Sequence, residues 1–475
     1  MLKFTPFSSL LMLAMIVSLA SCKEKYAEDD FQAYFGGEIT NPTKRYVLFG
    51  KDNEVLDTIP LNADNTFFKS FKSLKPGLYT FRHEPEYQYV YFDKNDSIMV
   101  RINSRDFDES IVFCGKGDEK NNFMMELYLR NEHDKNKLFP YFDKDISAFS
   151  KHTDSTYNAN RKYYDQNKKR VDWSSGFDFF ANAMLDYNYY GKKEMYPQIN
   201  RVRTGKTQEI PSGFYSFRKN IDYNDSALSS FSPFITYMSH MLNNIATVSD
   251  SSAVDEVDLA LRNNINKLHI ADTLIKSEKI KNTLLHSIAF NYFLEDQNVV
   301  NNKKFLEAYL KHSTDKKSSD EITGIGKAIS MLKPGQQLPA VQLRRADGTK
   351  ISSVELEKGN KTIFYFWTEN FNSHFVEANK KALQLKAANP DYKFVAINVD
   401  GDFGKWSKML KDYKFDGITQ VQCTNFEELR KKWAIIKIHR TIIVNADGTI
   451  QNAFTNLFNA DFSNQLKEEK LLAKK

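Results

Sequence analysis

The run Ile363-Phe364-Tyr365-Phe366-Trp367 contains no aspartate, glutamate, lysine, arginine, asparagine or glutamine. A strand with one wet face alternates apolar and polar side chains. A strand that does not alternate has to be covered on both faces, the position of a central strand in a layered α/β sheet. The surrounding pattern agrees. From Gln337 onward it predicts strand, hairpin, strand, helix, strand, helix, strand, helix, hairpin, helix. Leu338 to Leu343 and the Ala346-Asp347-Gly348-Thr349 turn open this domain. A helix from His374 to Ala388 stops at Asn389-Pro390, and Phe394 to Val399 is the next strand. Arg440 to Val444 and the Asp447-Gly448 turn close the sheet. Residues 332–475 are therefore read as an α/β domain.

The rest of the chain changes period twice. From Phe31 to about Asn103, short runs repeat with period two and turn residues lie between them. Tyr46 to Phe49, Val55 to Leu61, Phe67 to Phe71, Leu78 to Phe81, Tyr87 to Phe92 and Ile98 to Ile102 are the strands expected. Such spacing predicts a β-sandwich-like domain over 31–110. The Tyr87, Tyr89 and Tyr91 stripe is read as one face of a sheet, with an exposed aromatic binding platform as the alternative. Between 111 and 331 apolar residues recur at steps of three and four, as in Phe123-Met124-Leu127-Tyr128 and Ile235-Met238-Met241-Ile245. These are one-sided stripes of packed helices. Thr314 to Asp320 reads as a polar break. The architecture expected is multidomain α+β: β-sandwich-like, then α-helical, then α/β.

The N-terminus carries an address. Lys3 precedes the apolar run Leu10 to Ala20, which is shorter than the roughly 20 residues a membrane span needs. Leu19-Ala20-Ser21-Cys22 follows, and it resembles a bacterial lipoprotein processing site. Residues 1–21 are thus read as a lipoprotein signal peptide, Cys22 as the lipid attachment residue, and 22–30 as a charged tether. Lysines and acids are interspersed and the formal charge is only +6, so no nucleic-acid footprint is expected. Hydrophobic content of 41% suits globular cores. Once Cys22 is taken by lipid, Cys114 and Cys423 remain, in what are read as different domains. The six histidines from His133 to His312 stand singly, none in a His-Glu-x-x-His arrangement.

The α/β domain resembles thioredoxin-like proteins of the TlpA/ResA type found in Bacteroidota lipoproteins. The likeness rests on Phe366-Trp367 ending a strand, on the turn Thr368 to His374, on the entry hairpin, and on Asp400 and Trp406. The order of domains is similar too. The resemblance implies two cysteines at positions 371 and 374 and a cis-proline at 439. Here those positions hold Phe371, His374 and His439. A thiol oxidoreductase needs a cysteine held as thiolate at a helix N-terminus, with a second cysteine one turn on. A phenyl ring can neither attack a disulfide nor form one.

The reading that follows is a non-enzymatic envelope lipoprotein with a redox-degenerate thioredoxin-like domain. It would be a binding or scaffold subunit of an outer-membrane protein complex, with no cofactor and no small-molecule substrate. It would be anchored in the outer membrane by lipid, facing the periplasm or the cell surface. Two alternatives belong to other classes. One is a thiol-disulfide or peroxide-linked enzyme using Cys423. The other is a metal-handling module, because the resemblance brings His374 close to His439 with Glu369 nearby, and two imidazoles and a carboxylate can hold zinc or copper.

Overall fold

The computed structural model describes residues 32–247, 256–295, 298–435 and 437–466. The signal peptide, Cys22 and the tether lie outside the described residues. The chain forms two compact units. The first takes residues up to Ile221 together with Ala227–Met241; the second takes Asp222–Ser226 and everything from Leu242 onward. The helices between 111 and 331 are thus shared between them. Asn224 explains part of this division, since its side-chain carbonyl accepts from the N–H groups of Lys276 (2.6 Å) and Ser277 (3.0 Å).

In the first unit the strands are β1 (Ala33–Thr40), β2 (Tyr46–Lys51), β3 (Glu54–Pro60), β4 (Thr66–Phe71), β5 (Gly77–His83), β6 (Glu86–Phe92), β7 (Ser97–Asn103) and β8 (Val112–Lys116). They form two four-stranded sheets, ordered β4-β1-β7-β8 and β3-β2-β5-β6. Asp52 and Asn53 take positive φ (55° and 67°) between β2 and β3, a backbone that Asp and Asn tolerate in hairpin turns. The inward residues are aromatic. Phe35 lies 5.4–6.0 Å, centroid to centroid, from Phe49, Phe67, Phe81 and Phe92.

Helices α1 (Phe107–Ser110), α2 (Asp118–Leu138), α3 (Ile146–Val171), α4 (Ser175–Thr204) and α5 (Ser232–Ala246) follow. Asp145 and Ser174 cap α3 and α4 through their side chains. The helices cover the outer face of β6. Tyr91 packs against Phe177 (5.5 Å) and Phe180 (6.1 Å), and Tyr89 against Phe231 (5.4 Å). Of the tyrosine stripe only Tyr87 stays exposed, so most of it is an interior face and not a binding platform. At the same junction Lys120, 5% exposed, lies 2.9 Å from Asp93 and 2.6 Å from Asp96, which compensates its burial.

The second unit begins with α6 (Glu256–Leu274), α7 (Glu278–Glu295), α8 (Val299–His312) and α9 (Lys316–Met331). The polar stretch at 314–320 is the start of α9, because Asp315 accepts from the N–H groups of Lys317 and Ser318. The polar residues mark a helix cap, where the sequence suggested a break.

The C-terminal part holds β9 (Gln342–Arg345), β10 (Lys350–Ser352), α10 (Ser353–Glu357), β11 (Lys361–Trp367), α11 (Asn372–Ala388), β12 (Tyr392–Asn398), α12 (Phe403–Asp412), β13 (Thr419–Cys423), α13 (Phe426–Trp433), β14 (Thr441–Val444) and β15 (Ile450–Thr455). Its sheet is ordered β10-β9-β13-β12-β11-β14-β15. β11 pairs parallel with β12 and antiparallel with β14. Ile363, Tyr365 and Trp367 face a core with Phe375, Ala382 and Trp406. On the other face, the Phe364 and Phe366 rings lie 5.2 and 6.2 Å from that of Trp433. Both faces are covered, which is why the strand does not alternate. The overall class is β-sheets, then helices, then a mixed α/β sheet of thioredoxin-like order. Among the described residues no helix is long and apolar enough to cross a membrane.

A β-carbon at Gly176, in the first turn of α4, would collide with the Tyr91 hydroxyl. Gly176→Ala should therefore destabilise the first unit by about 1–3 kcal/mol through overpacking. Tyr91→Phe in the same chain should recover part of that loss. Denaturant unfolding of the two single variants and the double variant checks this, and additive losses would refute the contact.

Candidate functional site

β11 ends at Trp367, and one 3-10 turn (Glu369–Phe371) leads into α11. Asp400, just past β12, fixes this turn. Its Oδ1 accepts from Thr368 Oγ1 at 2.7 Å, and its Oδ2 accepts from the Glu369 N–H at 2.7 Å and from Asn398 Nδ2 at 2.8 Å. Gln422 Nε2 on β13 then donates to the Asp400 carbonyl at 2.9 Å. The ends of three strands are laced together under the turn. Each bond satisfies a polar group that the strand ends would otherwise leave unpaired.

Phe371 occupies the N-cap of α11 and makes no side-chain cap bond, since a phenyl ring offers no acceptor. It is 47% exposed. His374, one turn further, is buried. Its ring lies 5.9 Å from Phe371 and nearly parallel to it, 6.1 Å from Phe458, and 4.5 Å from His439 at 78°. His439 is exposed, and so is Phe458. The His374 Nδ1 is buried and has no hydrogen-bond partner among the described residues. Burial, and then the adjacent His439, push the His374 imidazole down to about 4. The positive end of α11 acts in the same direction. His374 is thus a neutral ring near pH 7, serving as a packed aromatic.

The structure brings His374 and His439 together. Among the described residues, however, no group of three or more His, Cys, Asp and Glu side chains is placed to hold a metal ion. Glu369 does not complete a set with the two imidazoles. Nor is the bond before His439 cis; among the described residues the cis peptide is Glu84–Pro85. Proline is the residue that tolerates cis, and it is absent at 439.

Cys423 ends β13 and is buried; burial pushes its thiol up to about 11. Such a group is a protonated thiol at neutral pH, not a nucleophile. Cys114 is exposed on β8, and both cysteines are free. The scattered histidines have structural uses: His152 stacks on Tyr141 at 3.8 Å, His312 Nδ1 lies 3.0 Å from Asp272, and His286 Nε2 lies 3.3 Å from Glu321.

Two residues near the turn carried no sequence signal. Phe458 comes from beyond β15 and closes one side of His374. Arg440 follows His439; its guanidinium donates to the carbonyls of Ala453 (2.7 Å) and Ala434 (3.0 Å) and lies 3.9 Å from the centre of the Phe454 ring. Burial without a carboxylate pushes it down to about 9.

No family model matches the sequence, and no curated protein matches it. Solved structures do match over a part of the chain. A Bacteroides vulgatus protein described as a thiol-disulfide oxidoreductase is 23% identical, over 29% of this chain and 98% of its own, with a TM-score of 0.27. The thioredoxin domain of a thiol-disulfide oxidoreductase from the same organism is 18% identical over 29% and 98%, with a TM-score of 0.26. A thiol:disulfide interchange protein from Bacteroides sp. is 19% identical over 29% and 90%, with a TM-score of 0.25. The fold assignment rests on the strand order and connections above.

His374 predicts a pH effect. It titrates near 6.5 when unfolded and at about 4 when folded. Between these values the unfolded chain binds more protons, so stability falls as pH drops from 6.5 to 4 and is unaffected by this group above 6.5. The slope should reach at most about 1.4 kcal/mol per pH unit. His374→Phe should flatten it, as read by denaturant unfolding across pH 4–7.5; an unchanged slope would contradict the assignment.

Proposed function

We propose that this protein is a non-enzymatic, lipid-anchored envelope protein whose redox-inactive thioredoxin-like domain serves as a binding or scaffold element in an outer-membrane complex. The observation that carries the reading is the pair Phe371 and His374 at the positions where dithiol chemistry needs two sulfurs. The thiol in the same domain, Cys423, is buried and protonated. Around the packed His374, the exposed rings of Phe371, His439 and Phe458 make an aromatic surface. Aromatic groups that stay exposed beside a rigid turn suit recognition of another chain. The lipid anchor at Cys22 and the outer-membrane location extend this reading from the sequence.

Purified protein should reduce insulin no faster than background, and Cys423→Ser should change nothing. Turnover that disappears with Cys423→Ser would replace this reading with the enzymatic one. Gentle detergent extraction from native membranes should recover the protein with an outer-membrane partner. Phe371→Ala together with Phe458→Ala should weaken that association by about tenfold or more, as buried aromatic anchors do. Recovery of the protein alone would count against the scaffold role.

A further inference from the structure

Upstream of the 368–374 turn, the second unit carries a cleft of about 590 Å³ at one end of its helical layer. The start of α8, the end of α9 and Phe293 of α7 build it. Its floor is apolar: Phe293, Leu306 and the bare backbone of Gly326. A β-carbon at Gly326 would sit 3.3 Å from Phe293 Cζ and 3.6 Å from Leu306 Cδ2, against the two other floor residues. Glycine costs a helix interior about 1 kcal/mol relative to alanine, and here its missing side chain keeps the floor open. Val300, 65% exposed, continues the apolar lining toward solvent.

The rim is basic. Lys303, Lys304, Lys327 and Lys333 line the cleft, and among the described residues Glu307 is the one acid in its lining. None of the four lysines is held in an ion pair among the described residues. The positive end of α8 lies beside Lys303 and Lys304, whereas Lys327 and Lys333 sit at the negative, C-terminal end of α9. Lys281 in the same unit, by contrast, is paired with Asp272 and Glu278. An apolar floor under a rim of four lysines and one acid matches a molecule with an aliphatic body and one anionic head. The volume lies within the usual range for small-molecule sites.

We propose that this cleft binds an aliphatic monocarboxylate of fatty-acid type. The chain lies over Phe293, Leu306 and Gly326, and the carboxylate sits among the rim lysines. This site is separate from the aromatic surface at Phe371, and it stands or falls without it.

The test uses the full-length protein in its native membrane and decanoate carrying a terminal diazirine. Irradiation followed by peptide mapping should place the label within residues 293–333. Competition by unlabelled octanoate, decanoate and dodecanoate should strengthen by up to about fourfold for each added methylene. Decyltrimethylammonium, with the same tail and opposite charge, should not compete. Lys303→Gln with Lys327→Gln should weaken labelling about tenfold. Gly326→Val should fill the floor and abolish labelling; should that variant misfold, the lysine pair still decides the matter, since both lysines are exposed. Label elsewhere, equal competition by the cation, equal protection by an acidic peptide, or no dependence on chain length would each overturn the proposal.

Discussion

The C-terminal domain depends on burying β11 from both sides. Ile363, Tyr365 and Trp367 are held by the α11 and α12 layer, while Phe364 and Phe366 are held by Trp433 of α13. Each buried aromatic side chain contributes on the order of 1.5–3 kcal/mol relative to exposure, so the strand is anchored by packing as well as by its ladder bonds. Trp433 is itself fixed, since its indole N–H donates to the Pro339 carbonyl at 2.6 Å. With β11 immobile, the turn that leaves it at Thr368 has a rigid base.

That rigidity is independent of thiol chemistry. Asp400 takes three hydrogen bonds from Thr368, Glu369 and Asn398, and none involves positions 371, 374 or 439. The turn is thus held by groups other than Phe371, His374 and His439. Those three rings meet in space and form one contiguous cluster. Desolvation then decides its electrical character. His374, buried with an orphaned Nδ1, is held neutral, whereas His439 stands in solvent. Arg440 behind them stays in place through two carbonyls and the face of Phe454. The result is an aromatic cluster over a polar lattice.

Much of the architecture could be read directly. The alternating runs between 31 and 110 became strands because Phe35, Phe49 and Phe81 needed a common interior. The spacing around Phe123 and Leu127 became a helix for the same reason at a different period. The polar stretch at 314–320 was harder, because capping residues and loop residues share a composition. Asp315 serves as a cap only because the helix beyond it has a buried face. The tyrosine stripe showed the same ambiguity. Nothing local distinguishes a platform from an interior face until Phe177, Phe180 and Phe231 are seen to lie on it.

Period marked most of the elements, though not β1 or β8, and residue identity alone determined that positions 371, 374 and 439 hold no sulfur and no proline. Those are properties of covalent structure and of neighbours a few residues away. Only the tertiary structure decided that His374 is dry while His439 is wet, that Phe458 closes the cluster, and that Cys423 is sealed in the sheet. Each of these depends on how far water is excluded by segments tens of residues distant, and water exclusion is a property of the packed chain as a whole.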